Sequence, residues 1–269
     1  MALKIADAHT HIYPEKIAQK ATDAIGEFYD IPMYGNGMSN MLIENGEKIG
    51  VTKYLVCSVA TTENQVESIN NFLYKESQAH PEFVPFAAMH KDYKDFENEL
   101  KRVKTLGFKG IKFHPDFQEM YIDDEQAFPI YEKCAQMGLV ILFHMGDNRY
   151  DYSTPDRLCK VLRKIPNLKC IAAHFGGYQN WEGGRKEYSK LFNEGYGKYL
   201  YFDTSSSLFK LQPSVASEMI KQYGIDRFMF GTDFPMWSAK DELERFNKLD
   251  LTDSQREKIL YGNFEKLFL

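Results

Sequence analysis

No stretch of about 18 apolar residues occurs in this chain of 269, so nothing in it has the length and character of a membrane-crossing helix. Basic excess is lacking as well. Lys and Arg number 33 against 38 Asp and Glu, a net charge of −5, and nothing advertises a nucleic-acid partner. The four cysteines (Cys57, Cys134, Cys159, Cys170) show no CxxC spacing. Cys57 and Cys170 lie inside apolar runs, where a free thiol behaves as a small hydrophobe. No basic segment followed by an apolar core opens the chain. These absences predict a reduced, cytoplasmic protein that engages neither membrane nor nucleic acid, takes a small molecule as its partner, and leaves homodimerisation open. Low-complexity tracts and interdomain linkers are missing too, which predicts a single domain over 1–269.

What is present is periodic. Apolar runs begin near Ile5, Tyr54, Phe83, Gly110, Leu139, Leu168, Leu200 and Phe228, at spacings of 49, 29, 27, 29, 29, 32 and 28 residues. Between them lie segments of helical period, among them Asn64–Ser77, Phe96–Leu106, Glu125–Met137, Asp156–Ile165 and Pro213–Tyr223. Short buried runs alternating with helices indicate βαβ units and a parallel sheet. Eight such units predict a (β/α)8 TIM-type barrel. A doubly wound open sheet is the alternative, but no Gly-rich phosphate loop follows the first strand. The first unit is longer than the rest. Residues 13–40, rich in Gly, Asn, Met and Tyr towards their end, predict an extended loop after strand 1, serving as a lid or substrate wall or packing outside as an extra helix.

The chemistry-bearing residues sit where such a fold gathers them. Six of the seven histidines close strand-like runs: His9 and His11 in IADAHTH, His90 in VPFAAMH, His114 in GIKFHP, His144 in VILFHMG and His174 in CIAAHFGG. Asp233 closes FMFGTDFP in the same way. Histidine is the commonest metal-ligand side chain, and barrels place their active sites at strand C-termini. One residue apart on a strand, His9 and His11 point to the same face. Asp233, ending strand 8, neighbours strand 1 once a barrel closes. Histidines with a carboxylate and an open position suit a catalytic divalent cation.

The segments ADAHTHI, GIKFHP, LFHMG, AHFGG, GTDFP and YGNFEKLF together resemble the amidohydrolase superfamily, in particular its amidohydrolase-2 branch of aminocarboxymuconate-semialdehyde decarboxylase-like and lactonase-like enzymes. The resemblance spans Asp7 to Phe268. It implies a deformed (β/α)8 barrel with one divalent ion, zinc foremost, with manganese or another metal as the alternative. Carried onto this chain, it makes His9, His11, His144 and Asp233 metal ligands and His174 the catalytic histidine. Binuclear members carry a carboxylated Lys or a Glu at the end of strand 4. This chain has Lys112 and His114 there: an unmodified Lys112 beside a single metal is the leading expectation, with both residues candidates for substrate contact, and a carboxylated Lys112 bridging two metals is the alternative.

Arg149 and Arg185 fall in segments expected to be loops after strands 5 and 6, suited to gripping a substrate carboxylate, and Tyr34 and Trp237 are candidate pocket walls. Asp7 is a candidate partner for a ligand histidine or a buried ion pair. The Asp203–Ser207 run reads foremost as a helix cap, and His90 as support behind the site. The leading functional expectation is a metal-dependent hydrolase of a small carboxylate-bearing amide or lactone, with Asp233 taking a proton from metal-bound water and His174 stabilising the developing charge. The alternative is a non-oxidative decarboxylase of an aromatic or muconate-like acid on the same metal site. A TatD-like phosphoesterase ranks lower, since a strand-4 Glu is missing, and a non-catalytic metal-binding protein lower still.

Overall fold

The computed structural model describes residues 4–269. Eight strands stand in one sheet in chain order: β1 Ile5–His11, β2 Val51–Cys57, β3 Phe83–Ala88, β4 Gly110–Phe113, β5 Val140–Phe143, β6 Cys170–Ala172, β7 Leu200–Asp203 and β8 Phe228–Met229. β1 pairs with β2, and each neighbour from β3 to β7 pairs with the next, all in parallel. The helices are α1 Glu15–Tyr29, α2 Ser39–Glu47, α3 Val66–Ala79, α4 Phe96–Thr105, α5 Pro115–Gln118, α6 Phe128–Met137, α7 Pro155–Lys164, α8 Trp181–Asn193, α9 Pro213–Tyr223, α10 Ala239–Phe246, α11 Asp253–Glu257 and α12 Asn263–Phe268. This is the element order of a (β/α)8 barrel. β1, β3, β4, β5, β6 and β8 are buried along their whole length. Burial on both faces explains why the sequence shows continuous apolar runs rather than strict alternation. Among the described residues, no helix is long and apolar enough to cross a membrane.

The chain divides into two compact units, one of residues 1–58, 76–84 and 204–269, the other of 59–75 and 85–203. In the first, the backbone after β8 runs beside β1. Ala8 N donates to Phe230 O (2.8 Å), Asp233 N to His9 O (2.8 Å) and His11 N to Phe234 O (2.7 Å). Gly231 permits this approach: a Cβ there would lie 3.1 Å from His9 Cβ and 3.3 Å from Ser205 Cβ. Leu42, Leu55, Val56, Phe230, Phe246, Ile259 and Phe264 form the core of this unit. In the second unit, Phe86, Leu100, Val103, Ile111, Tyr131, Ile141, Leu158, Leu162 and Ile171 are all buried. Gly138 ends α6 in the left-handed region (φ 71°), as a glycine just past a helix end does.

Two expectations need correction. The segment 13–40 is not mainly loop, because α1 occupies Glu15–Tyr29. Ile17, Ala21, Ala24, Ile25 and Phe28 recur along it with helical period, although only Ala18 and Thr22 are buried. The remainder is laced to the residues after β8. Tyr34 N donates to Met236 O (3.2 Å) and Gly35 N to Pro235 O (2.9 Å), while Tyr13 N donates to Gly37 O (2.8 Å). Arg185, expected in a loop, lies within α8.

Candidate active site

Among the described residues, each unit gathers titratable groups at its strand ends. In the first unit, β1 presents His9 and His11 on one face, with their Nε2 atoms 3.2 Å apart. Asp233 Oδ1 lies 3.5 Å from His9 Nε2 and 3.4 Å from His11 Nε2. All three side chains are buried. Each outer ring nitrogen has its own partner. His9 Nδ1 is 3.1 Å from Ser205 Oγ, and His11 Nδ1 is 3.7 Å from Cys57 Sγ, whose thiol donates to Thr10 O at 3.4 Å. A proton on each Nδ1 satisfies these contacts and leaves two Nε2 lone pairs facing a carboxylate. In that arrangement three buried acceptors converge, and a cation among them would satisfy all three.

The spacing fits a metal ion. Ligand atoms about 2.0–2.2 Å from a cation, at angles between a right angle and tetrahedral, stand about 2.9–3.5 Å apart. The three separations found here, 3.2, 3.4 and 3.5 Å, fall in that window. The ring planes also suit it. An imidazole lone pair lies in its ring plane, and the planes of His9 and His11 are tilted by 45°, so they intersect.

Asp233 has a left-handed backbone (φ 59°), as does Ser206 (φ 45°) just after β7. Such conformations cost about 1–2 kcal/mol each for a non-glycine residue, and here local bonds hold them. Ser206 Oγ donates to Asp233 Oδ2 (2.5 Å) and receives Trp237 Nε1–H (2.9 Å). Asp7 supports the trio through the backbone. Its carboxylate accepts from the backbone N–H of His9 (3.2 Å) and Thr232 (2.9 Å) and from Thr232 Oγ1 (2.6 Å), fixing the two backbones that carry the trio.

In the second unit, His174 Nε2 is 3.0 Å from His144 Nδ1, and His144 Nε2 is 3.4 Å from Asp116 Oδ2. His174 also has left-handed φ (60°). Its N–H donates to Asp203 Oδ1 (3.0 Å), and its carbonyl accepts from Trp181 Nε1 (3.0 Å). Asp203 is therefore an anchor for His174 rather than the helix cap expected of it. Asp116 accepts from Ser153 Oγ at 2.9 Å, but its Oδ1 is buried without a partner. Burial pushes the Asp116 carboxyl up to about 7, against the opposing bond from Ser153.

His114, Asp116 and His144 lie close enough together to suggest a second cation site, yet the ring geometry rejects it. His114 and His144 stack with centroids 3.9 Å apart and planes only 9° from parallel, so their in-plane lone pairs cannot meet at one ion. His114 Nδ1 instead accepts from Phe117 N (3.3 Å) at the start of α5.

The remaining candidates are placed as follows. Lys112 on β4 is wholly buried. Arg149 does not present an open fork, because its guanidinium grips Asp147 in bidentate fashion, Nε to Oδ1 at 2.9 Å and Nη2 to Oδ2 at 2.6 Å. Tyr34 is 39% exposed and its hydroxyl accepts from Lys48 Nζ, so it is not a buried pocket wall. His90 turns to its own loop, where Asp92 N donates to its Nδ1 (3.3 Å), and burial lowers its pKa. Sequence reasoning missed Ser205 and Ser206 as supports of the trio. The available signal was a hydroxyl run directly after a strand end, which resembles a cap.

Fold and donor set together define a (β/α)8 metalloenzyme class. The chain belongs to the Amidohydrolase family, which it matches over residues 6–269, and it is an enzyme of the amidohydrolase superfamily, a hydrolase or a decarboxylase. A gamma-resorcylate decarboxylase of Polaromonas sp. (strain JS666) is 26% identical over 249 residues, covering 74% of each chain. An uncharacterised TIM-barrel protein from Bordetella bronchiseptica superposes with a TM-score of 0.78 at 20% identity, covering 98% of both chains. A dihydroxybenzoic acid decarboxylase from Polaromonas sp. JS666, solved with bound manganese and the inhibitor 2-nitroresorcinol, superposes with a TM-score of 0.75 at 18% identity, covering 98% of this chain and 96% of the other. The decarboxylases among these relatives favour the alternative functional expectation over the leading one, and the hydrolase reading finds no support in them.

Proposed function

We propose that this chain is a metal-dependent, non-oxidative decarboxylase of small aromatic carboxylic acids, acting as one catalytic domain. The observation that carries the reading is the convergence of His9 Nε2, His11 Nε2 and Asp233 Oδ1 at 3.2–3.5 Å. These three atoms hold the cation, manganese or zinc. His144, a ligand by the resemblance, is the proposed fourth. When bound, the metal supplies Lewis acidity towards a substrate oxygen and offsets negative charge.

The remaining chemistry belongs to side chains. His174, its backbone held by Asp203 and Trp181, supplies the proton that the ring carbon gains as its bond to the carboxyl carbon breaks. CO2 leaves without the bonding pair, which stays on the ring carbon and takes up that proton. Among the relatives, the decarboxylase names support this reaction class, and the manganese in one of them supports the choice of metal. Lys112 and His114 remain the proposed substrate contacts. Arg149 and Tyr34 are weaker candidates, with Arg149 committed to Asp147.

The test is turnover by manganese- or zinc-reconstituted protein on hydroxybenzoates, gamma-resorcylate first, beside a set of lactones and amides. CO2 release that disappears with chelator is expected. Lactone or amide opening without CO2 from any aromatic acid would overturn the proposal and restore the hydrolase.

A further inference from the structure

Asp233 offers two oxygens, and the first unit commits them to different tasks through a chain of bonds with fixed direction. The Trp237 indole nitrogen can only donate, and it lies 2.9 Å from Ser206 Oγ. Ser206 thereby receives a hydrogen on one lone pair, and of the two acceptors within reach of its own single hydrogen, Asp233 Oδ2 at 2.5 Å and the weaker Met236 Sδ at 3.4 Å, the carboxylate oxygen takes it. Oδ2 is thus occupied, and Oδ1 is the oxygen turned towards His9 and His11. Two features hold the relay in place. Ser206 and Asp233 both have left-handed backbones, which commits their side chains to these directions. The Trp237 indole is held by the Phe209 ring, stacked at 4.8 Å, and by the Arg245 guanidinium, 4.8 Å from its ring centroid. Arg245 is itself tied to the buried Glu242.

Resting on the proposed cation site, we infer that Ser206 and Trp237 are positioning residues that make Asp233 a one-oxygen ligand, and that the Trp237 indole reports occupancy of the site. The reasoning is that orientation of a ligand by outer hydrogen bonds is typically worth about 10–100-fold in metal affinity. A cation drawing on Oδ1 also repolarises the Ser206–Oδ2 bond and with it the indole donor. The chain has two tryptophans, Trp181 and Trp237, so a Trp181→Phe background leaves Trp237 as the sole indole fluorophore.

The experiment titrates Mn2+, and separately Zn2+, into chelator-stripped protein, following binding by calorimetry and Trp237 emission in the Trp181→Phe background. The parent is expected to show an emission change that saturates at one equivalent. Ser206→Ala is expected to bind about 10–100-fold more weakly and, at saturating metal, to leave the emission unchanged. Trp237→Phe, read by calorimetry without the Trp181 substitution, is expected to weaken binding in the same direction. Combined with Ser206→Ala it should add little, since both remove the same relay. Circular dichroism checks that each variant is folded, and calorimetry on Trp237→Phe decides the matter if Ser206→Ala is not. Parent-like affinity in Ser206→Ala and Trp237→Phe, or a full emission response in Ser206→Ala, overturns the inference while leaving the cation site standing. Absence of binding to the parent overturns both.

Discussion

Replacing Asp233 with Asn keeps the shape of the side chain, and one amide oxygen can still accept from Ser206, but it removes the only negative charge in the trio. The size of the effect can be worked out. Structural zinc sites with four ligands bind with about 10–16 kcal/mol, or roughly 2.5–4 kcal/mol per ligand, which is about 100–1,000-fold in affinity. A ligand present at about 100 times its Kd stabilises a protein by about 2.7 kcal/mol. In a domain of this size each 1 kcal/mol moves Tm by about 2–4 °C, so the parent should gain about 5–10 °C on adding metal. At the same metal concentration Asp233→Asn falls to about 0.1–1 times its raised Kd. The gain then shrinks below about 0.5 kcal/mol, or at most about 2 °C. Thermal unfolding with and without metal, after chelator treatment, measures both. An equal metal-induced shift in parent and variant would refute the assignment of Asp233 as a ligand.

Three further predictions follow from local geometry. Gly231→Ala places a methyl group 3.1 Å from His9 Cβ and 3.3 Å from Ser205 Cβ, and should cost about 1–3 kcal/mol in urea unfolding together with weaker metal binding; a neutral result would contradict the close approach of β1 to the chain after β8. Arg149→Ala leaves the buried Asp147 carboxylate without its bidentate partner. With Arg149 itself 42% exposed, we expect a stability loss of about 1–2 kcal/mol; a raised KM with unchanged stability would instead restore Arg149 as a substrate clamp. Asp116, pushed up to about 7 from 3.8 by burial, binds its proton more tightly in the folded than in the unfolded chain. Its contribution is therefore complete below about pH 4 and lost as pH rises through 7. Relative to Asp116→Asn, the metal-free parent should lose up to about 4 kcal/mol between pH 4 and 8, at about 1.4 kcal/mol per unit; parallel profiles in chemical denaturation would contradict this.

Much of the fold is visible in the sequence because both faces of the sheet are buried. Continuous apolar runs such as VILF and CIA mark strands without alternation, and β1, β3, β4, β7 and β8 begin where their runs begin. The strand-end position of His9, His11, His144, His174 and Asp233 is visible for the same reason. What could not be read is direction. Arg149 looks like an open guanidinium in sequence, and only the fold shows Asp147 in its fork. Ser205 and Ser206 look like a cap because a hydroxyl run after a strand usually is one; their role depends on left-handed turns and on Gly231 letting three backbones meet. Likewise His114 and His144 share a strand-end pattern, and only their parallel stacking at 3.9 Å shows that the two rings do not serve one ion together. α1 is the extra helix left open for residues 13–40: Ile17, Ala21, Ala24, Ile25 and Phe28 carry a helical period, but the Gly-, Asn- and Met-rich residues that follow point towards a loop.

The most direct test of the account is anomalous diffraction from crystals grown with Mn2+. A single strong anomalous peak about 2.0–2.3 Å from His9 Nε2, His11 Nε2 and Asp233 Oδ1 is predicted, with Asp233 Oδ2 still bonded to Ser206. A fully occupied cation elsewhere, with these three side chains making no contact to it, would contradict the claim on which the proposed chemistry rests.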